Sequence, residues 1–168
     1  MNERRKSEKF FFKNKEYLLS PGFLIFPLKA KTIYSVVTNG IVFTLFDLKK
    51  RQGGMGYFKY SRRIEDNTSC LFAYPNISTL VTFFIKSGSR REDIVVNFYG
   101  GAVQKKSSFS QRKLSIDNIE IAKNIFKYLD LKVAICEIGG ETGRKIAFDS
   151  GSGNHVMALV EDLRESDW

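Results

Sequence analysis

Three side chains in this sequence could act as a nucleophile or a base at a carbonyl group: Cys70, Cys136 and His155. A thiolate that attacks an amide carbon needs a neighbouring base, which takes the thiol proton and then protonates the leaving group. Cys70 lies where a polar stretch turns apolar, which favours a partly exposed and reactive thiol. Cys136 lies inside an apolar run, so we expect a buried thiol that behaves as a small hydrophobic side chain.

The sequence offers little support for the base that this chemistry needs. His155 is the only histidine of the chain, and it stands beside Asn154 in a segment that we expect to be a turn or strand at the surface. A Cys70–His155 pair is therefore conceivable, but nothing in the sequence places the two together. One histidine and two distant cysteines cannot form a structural zinc site, and no phosphate-binding glycine loop is present. We expect no metal and no cofactor.

The overall composition indicates a folded and basic protein. Its 168 residues are 43% hydrophobic, and its 27 Lys and Arg residues outnumber 18 Asp and Glu residues, giving a net charge of +9. No apolar run reaches the roughly 18 residues of a membrane helix, so we expect a cytoplasmic protein. The charge favours acidic partners, whereas nucleic acid is disfavoured because no nucleic-acid motif accompanies it. Residues 1–15 are expected to be a basic tail and residues 16–168 one domain.

Hydrophobic periodicity predicts an α+β fold, in which several strands, a helix, a strand, a helix and further strands follow one another. Strands are predicted at 32–37 and 41–46, and the turn-prone Thr38-Asn39-Gly40 between them suggests a hairpin or a bulge. A helix capped by Asn76 is predicted from an apolar stripe, and a second helix is expected to begin near Ser115. The first stripe comprises Ile77, Leu80, Val81, Phe84 and Ile85. The segment 133–138 is predicted to be a buried strand.

Short motifs recur in a fixed order along this predicted domain. They are Pro21-Gly22, Thr44-Leu45-Phe46-Asp47, Gly53-Gly54-Met55, Phe98-Tyr99-Gly100-Gly101-Ala102, Asn118 near the start of the second helix, Glu137-Ile138-Gly139-Gly140 and Gly143-Arg144. Each motif is common alone. Together, over about residues 17 to 160, they resemble the chemoreceptor glutamine deamidase (CheD) family. This resemblance implies a β-sandwich-like α+β domain flanked by helices.

The same resemblance assigns the catalytic positions. Counting back from Asp47, the cysteine of the family falls on Gly40 and the serine before it on Asn39. The histidine falls on Tyr57, and the threonine on Tyr34 or Ser35. Gly40 and Tyr57 leave the site without nucleophile and base, because a phenol with an ordinary pKa near 10 is a poor base at neutral pH. The resemblance implies that the cleft survives, lined by Asn39, Gly40, Tyr57, Gly100 and Gly101, and we expect glycine at position 40 to make it roomier.

Family members act on the cytoplasmic helices of methyl-accepting chemoreceptors and bind a CheC-type phosphatase. The resemblance therefore implies a chemotaxis protein that binds these partners without catalysis. Two alternatives stay open at this point. One is an active glutamine deamidase that uses a relocated nucleophile, foremost Cys70, and the other is a basic protein that binds nucleic acid or a membrane surface.

Overall fold

Nine strands form two sheets in the part of the chain that the computed structural model describes, residues 17–62 and 68–161. The four-stranded sheet contains, in spatial order, β1 (Leu18–Leu19), β3 (Thr32–Val37), β8 (Gly143–Asp149) and β9 (His155–Val160). The five-stranded sheet contains β2 (Leu24–Ile25), β5 (Gln52–Phe58), β4 (Ile41–Asp47), β6 (Ile94–Gly100) and β7 (Lys132–Ile138). Within each sheet most neighbours are antiparallel, and the parallel pairs are β1–β3 and β6–β7.

The two sheets pack face to face, and β4 lies at the centre of the five-stranded sheet. All seven residues of β4 are buried, and successive side chains point to opposite faces. Val42 and Phe46 pack into the core between the sheets. Phe43 and Leu45 point the other way, into a core shared with the helices. Burial on both faces explains why five of its seven residues are apolar, the exceptions being Thr44 and Asp47.

Two helices cover the outer face of the five-stranded sheet: α1 (Ala73–Lys86) and α2 (Phe109–Tyr128). Both begin earlier than the sequence suggested. The N-cap of α1 is Phe72, so Asn76 is buried inside the helix instead of capping it. The N-cap of α2 is Ser108, whose side chain forms a capping box with Gln111. The apolar stripe of α1 is buried as predicted except at Ile85, which is 40% exposed.

The predicted hairpin at Thr38–Gly40 is wrong. Strands β3 and β4 belong to different sheets, so the chain crosses from one layer of the sandwich to the other at this turn. The prediction of a buried strand at 133–138 is also wrong. Among the described residues, strand β7 pairs with β6 alone, at the edge of its sheet, which leaves Val133 40% exposed and the Cys136 side chain exposed. An apolar run alone cannot distinguish a central strand from an edge strand.

The α+β fold class is confirmed by these two mixed sheets and two helices. Neither helix within residues 17–62 and 68–161 combines the length and apolar character needed to cross a membrane. The tail expected at residues 1–15 lies outside the described residues, so the boundary at residue 16 stays a prediction.

Gly100 ends β6 with a φ of 125°, where it lies against the crossing turn. A Cβ atom at this position would stand 2.2 Å from the Gly40 carbonyl oxygen. We expect Gly100→Ala to lower the free energy of unfolding by about 3 kcal/mol or more, because backbone strain and collision add. Gly139→Ala is the matched control, since Gly139 has a φ of 73° but open space around it. Its cost should be about 1 kcal/mol. Urea unfolding measures both, and equal costs would contradict the close approach.

Candidate functional site

The turn that crosses between the sheets, Thr38–Gly40, is held by the loop after β6. The backbone N–H of Ala102 donates to the Thr38 carbonyl at 2.8 Å, and that of Gly101 donates to the Gly40 carbonyl at 2.9 Å. The motif Gly100-Gly101-Ala102 therefore fixes the segment that carries the expected nucleophile position. Its conformation depends on backbone contacts that a pattern of glycines does not specify.

Asn118 ties the same turn to the end of β5. Its side chain is fully buried, and Nδ2 donates to the carbonyls of Asn39 and Lys59, each at 2.9 Å. One amide group from α2 thus joins the two segments that carry positions 40 and 57. The sequence offered a signal for this role, because Asn118 lies four residues before Ala122, on the buried face of the helix. A buried amide on an apolar face must find partners.

Asn76 has the equivalent role in α1, and sequence reasoning missed it. Its Nδ2 donates to the carbonyls of Cys70 at 2.7 Å, Tyr57 at 2.9 Å and Phe23 at 3.2 Å. The loop that leads into α1, the C-terminal part of β5 and the chain before β2 therefore meet at one side chain. Asn76 was predicted to cap the helix, and this prediction did not indicate a buried side chain.

The space beside Gly40 is filled by the ring of Tyr57. A Cβ atom at Gly40 would stand 2.8 Å from Tyr57 Cε2 and 2.8 Å from the Phe58 carbonyl oxygen. The Tyr57 side chain is only 3% exposed. The expected roomier cleft is therefore wrong, because the aromatic ring takes up the volume that a side chain at position 40 would need. Burial also raises the pKa of the Tyr57 phenol above its ordinary value, so this group stays neutral and cannot accept a proton.

The two candidates for the threonine position face opposite sides of β3. Ser35 is fully buried, on the same side of the strand as Ile33 and Val37, which belong to the core between the sheets. Its hydroxyl donates to the Leu19 carbonyl at 2.8 Å. Tyr34 is half-buried on the other side. Ser35 is thus the candidate that faces the sandwich interior, where its hydroxyl is engaged by the backbone of β1.

The candidates for a relocated site lie on different layers. Cys70 is a half-buried free thiol in the loop before α1, on the helix side of the five-stranded sheet. His155 is half-buried in β9 of the other sheet, and its ring lies 6.0 Å from the ring of Tyr99, between centroids. Cys136 is a free and exposed thiol in a groove between β7 and α2. Its pKa is raised by burial against the opposing effect of Lys123.

The glycine pair before β8 supports the crossing turn from the outside. Gly139 N–H donates to the Gly100 carbonyl at 2.9 Å, and Val103 N–H donates to the Gly140 carbonyl at 2.8 Å. The Arg144 guanidinium donates to the carbonyls of Gly139 at 3.0 Å and Thr142 at 3.3 Å. The motifs Gly100-Gly101-Ala102 and Gly139-Gly140, together with Arg144, are therefore parts of one assembly around positions 38–40. Within residues 17–62 and 68–161, no cluster of three or more His, Cys, Asp or Glu side chains could hold a metal ion.

Much of this assembly lies in a segment that matches a known protein family. A family described as "CheD chemotactic sensory transduction" matches residues 58–158, which include Gly100-Gly101-Ala102, Gly139-Gly140 and Asn118. The chain belongs to the CheD family. The matched segment begins directly after Tyr57, so Gly40 and Tyr57 lie outside it.

Individual CheD relatives extend the similarity over more of the chain. "Probable chemoreceptor glutamine deamidase CheD" from Sulfurimonas denitrificans is 26% identical over 149 residues, covering 88% of this chain and 95% of the relative. The protein of the same name from Methanosarcina barkeri is 29% identical over 142 residues, covering 80% and 88%. "Probable chemoreceptor glutamine deamidase CheD 1" from Anaeromyxobacter dehalogenans is 26% identical over 135 residues, covering 80% and 79%.

Replacing Asn118 by aspartate tests the amide that joins the turn to β5. Asn118→Asp keeps the shape but sets a carboxylate against two carbonyl oxygens. We expect the free energy of unfolding to fall by about 2–3 kcal/mol, because buried acceptors lose their donor. Asn124→Asp, on an exposed part of the same helix, should change it by less than about 0.5 kcal/mol. Chemical denaturation of both variants is the measurement, and similar losses would show that the charge, not the lost donor, is responsible.

A double-mutant cycle tests the packing of Tyr57 against position 40. Gly40→Cys alone should destabilise the protein by about 1–3 kcal/mol, because its Cβ meets the Tyr57 ring. In the Gly40→Cys/Tyr57→His variant the smaller ring relieves part of this collision. We expect the double variant to be more stable than the sum of the single changes predicts, by at least about 0.5 kcal/mol. Additive changes would mean that the two positions do not share this volume.

Proposed function

We propose that this CheD protein is a non-catalytic homologue that binds the cytoplasmic helices of chemoreceptors. The observation that carries the proposal is the Tyr57 ring packed against Gly40. On the alignment of motifs given above, these are the positions of the nucleophile and the base. On that alignment position 40 has no thiol, and the Tyr57 ring fills the space beside it.

The remaining groups near the turn do not replace the lost chemistry. The Tyr57 phenol is neutral because its pKa is raised by burial, and the Ser35 hydroxyl donates to a backbone carbonyl. Neither hydroxyl has a base beside it among the described contacts, and an unactivated hydroxyl is a weak nucleophile. Deamidation of a glutamine would need both an attacking atom and a proton donor for ammonia.

Binding does not require this chemistry, but it must use different residues from those first expected. Gly40, Tyr57, Gly100 and Gly101 are buried, and only Asn39 is half-exposed. A partner would therefore touch the rim and not the cleft.

The rim next to the turn contains Lys59 and Tyr60, both exposed. The Lys59 amine lies 5.8 Å from the centre of the Tyr60 ring, which itself packs on Phe72 with 5.7 Å between centroids. A cation beside a supported aromatic ring suits an acidic helix. A CheC-type phosphatase is proposed as the second partner, to be tested on the same surface.

An active deamidase with a relocated nucleophile is the alternative that the experiment must distinguish from a non-catalytic binding protein. Cys70 is the candidate, because its carbonyl is joined through Asn76 to the carbonyl of Tyr57 at the site. Its thiol would need a base, and His155 lies in the other sheet. The non-catalytic binding protein is therefore favoured.

The test is mass spectrometry of a chemoreceptor cytoplasmic fragment after incubation with this protein, followed by a binding measurement on the same fragment. We expect no conversion of Gln to Glu above background, together with saturable binding. An active chemoreceptor glutamine deamidase serves as positive control. Conversion that persists after repurification and disappears in Cys70→Ser would establish the alternative. Absence of both conversion and binding would reject the receptor as partner.

A further inference from the structure

The first half of α2 presents apolar and cationic side chains on one exposed face. Phe109 is 83% exposed and Ile116 is 60% exposed. They lie seven residues apart, two turns of a helix, and therefore on the same side. Arg112 and Lys113, one turn after Phe109, are also exposed on this stretch. Large apolar side chains exposed at this spacing are typical anchors for a partner helix.

The loop before α2 adds more positive charge to the same place. Arg112 donates through Nε to the Ser107 carbonyl and through Nη2 to the Lys105 carbonyl, both at 3.2 Å. This contact holds the loop against the first turn of the helix, so the exposed Lys105 and Lys106 adjoin the helix face. Residues 105–113 contain four Lys and Arg residues and no acidic residue.

The acidic side chains nearest to these cations compensate them weakly. Lys105 lies 3.8 Å from Glu141, and Lys113 lies 4.0 Å from Asp117, at the outer limit of an ion pair. Three of the four side chains in these two pairs are more than half exposed. Exposed pairs of this kind contribute little. The surface therefore keeps a positive potential that an acidic partner can use.

The helix that carries this surface also holds the crossing turn through its buried face. Ser115 Oγ donates to the Ala102 carbonyl at 2.9 Å, and Asn118 donates to the Asn39 carbonyl from the following turn of the same helix. The proposed face and the contacts to the turn thus lie on opposite sides of the same helix.

We propose that Lys105, Lys106, Phe109, Lys113 and Ile116 form a docking face for an acidic amphipathic helix. The inference rests on the proposed function, in which a receptor helix is the partner, and it assigns the surface that binds it. Two large apolar side chains give an interfacial anchor too small for a membrane. The one arginine of the segment is occupied by loop carbonyls, which leaves phosphate recognition to flexible lysines and disfavours nucleic acid.

The charge of the face is tested by reversing lysines before and near the start of α2 and, as a control, lysines near its end. Lys106→Glu/Lys113→Glu should weaken binding of the receptor cytoplasmic fragment about tenfold or more at low salt, with the effect shrinking as salt rises. Lys123→Glu/Lys127→Glu is the matched control. It makes the same charge change on exposed lysines of α2, ten or more residues and so about 15 Å further along. This control should change the affinity less than about threefold. Equal losses would overturn the face in favour of general attraction to a basic protein.

The apolar anchors need a separate test. Phe109→Ser/Ile116→Ser should also weaken binding about tenfold, whereas Tyr128→Ser, which removes another exposed ring of α2, should not. Circular dichroism and thermal unfolding show whether each variant keeps its fold. Unchanged affinity in the first variant would overturn the helix-docking geometry.

A second probe separates this inference from the proposed function. An acidic two-stranded coiled coil of unrelated sequence is titrated beside the receptor fragment, with anionic lipid vesicles and duplex DNA as competitors. If the coiled coil binds at this face and the receptor fragment does not, the face stands and the proposed function fails. If neither binds, the face is overturned. Tighter binding of vesicles or DNA, sensitive to the same variants, would overturn the class of partner.

Discussion

The crossing of the chain from one sheet to the other at Thr38–Gly40 is the constraint on which the site depends. At this turn the chain leaves both sheets, so its partly buried backbone carbonyls need donors from outside the strand ladders. The donors come from the loop after β6 and from the Asn118 amide on α2. Because the same amide also holds the end of β5, positions 40 and 57 are fixed relative to each other. Glycine is required at positions 40, 100 and 101 because a Cβ atom there would collide with neighbouring atoms.

Much of the architecture could be predicted from the sequence, and the α+β class and the CheD family are confirmed. A central strand such as β4 can be predicted from its mostly apolar sequence. The edge position of β7 could not be predicted, since apolar character carries no information about the number of neighbouring strands. The hairpin at Asn39-Gly40 was wrong for a related reason. A turn signal reports local backbone geometry, but not whether the following strand returns to the same sheet.

The order of the motifs assigned positions 40 and 57 as candidate site positions, but it could not predict how they pack. Substitution of Gly40 alone suggested an open cleft, and only the three-dimensional packing placed the Tyr57 ring in the same volume. The stabilising roles of Asn76 and Asn118 were also missed, although each is a polar residue on an apolar helix face. Such residues bind backbone groups that are distant in sequence, so their partners cannot be identified without the fold.

The packing of Tyr57 against Gly40 has a consequence for how this sequence can evolve. A cysteine arising first at position 40 would meet an aromatic ring and weaken the fold before any reaction was gained. A histidine arising first at position 57 would vacate packed volume and have no thiol to activate. Neither substitution is favourable by itself, so the two positions are expected to change together. Exposed residues on the outer surface of α2 have no such coupling and can change one at a time.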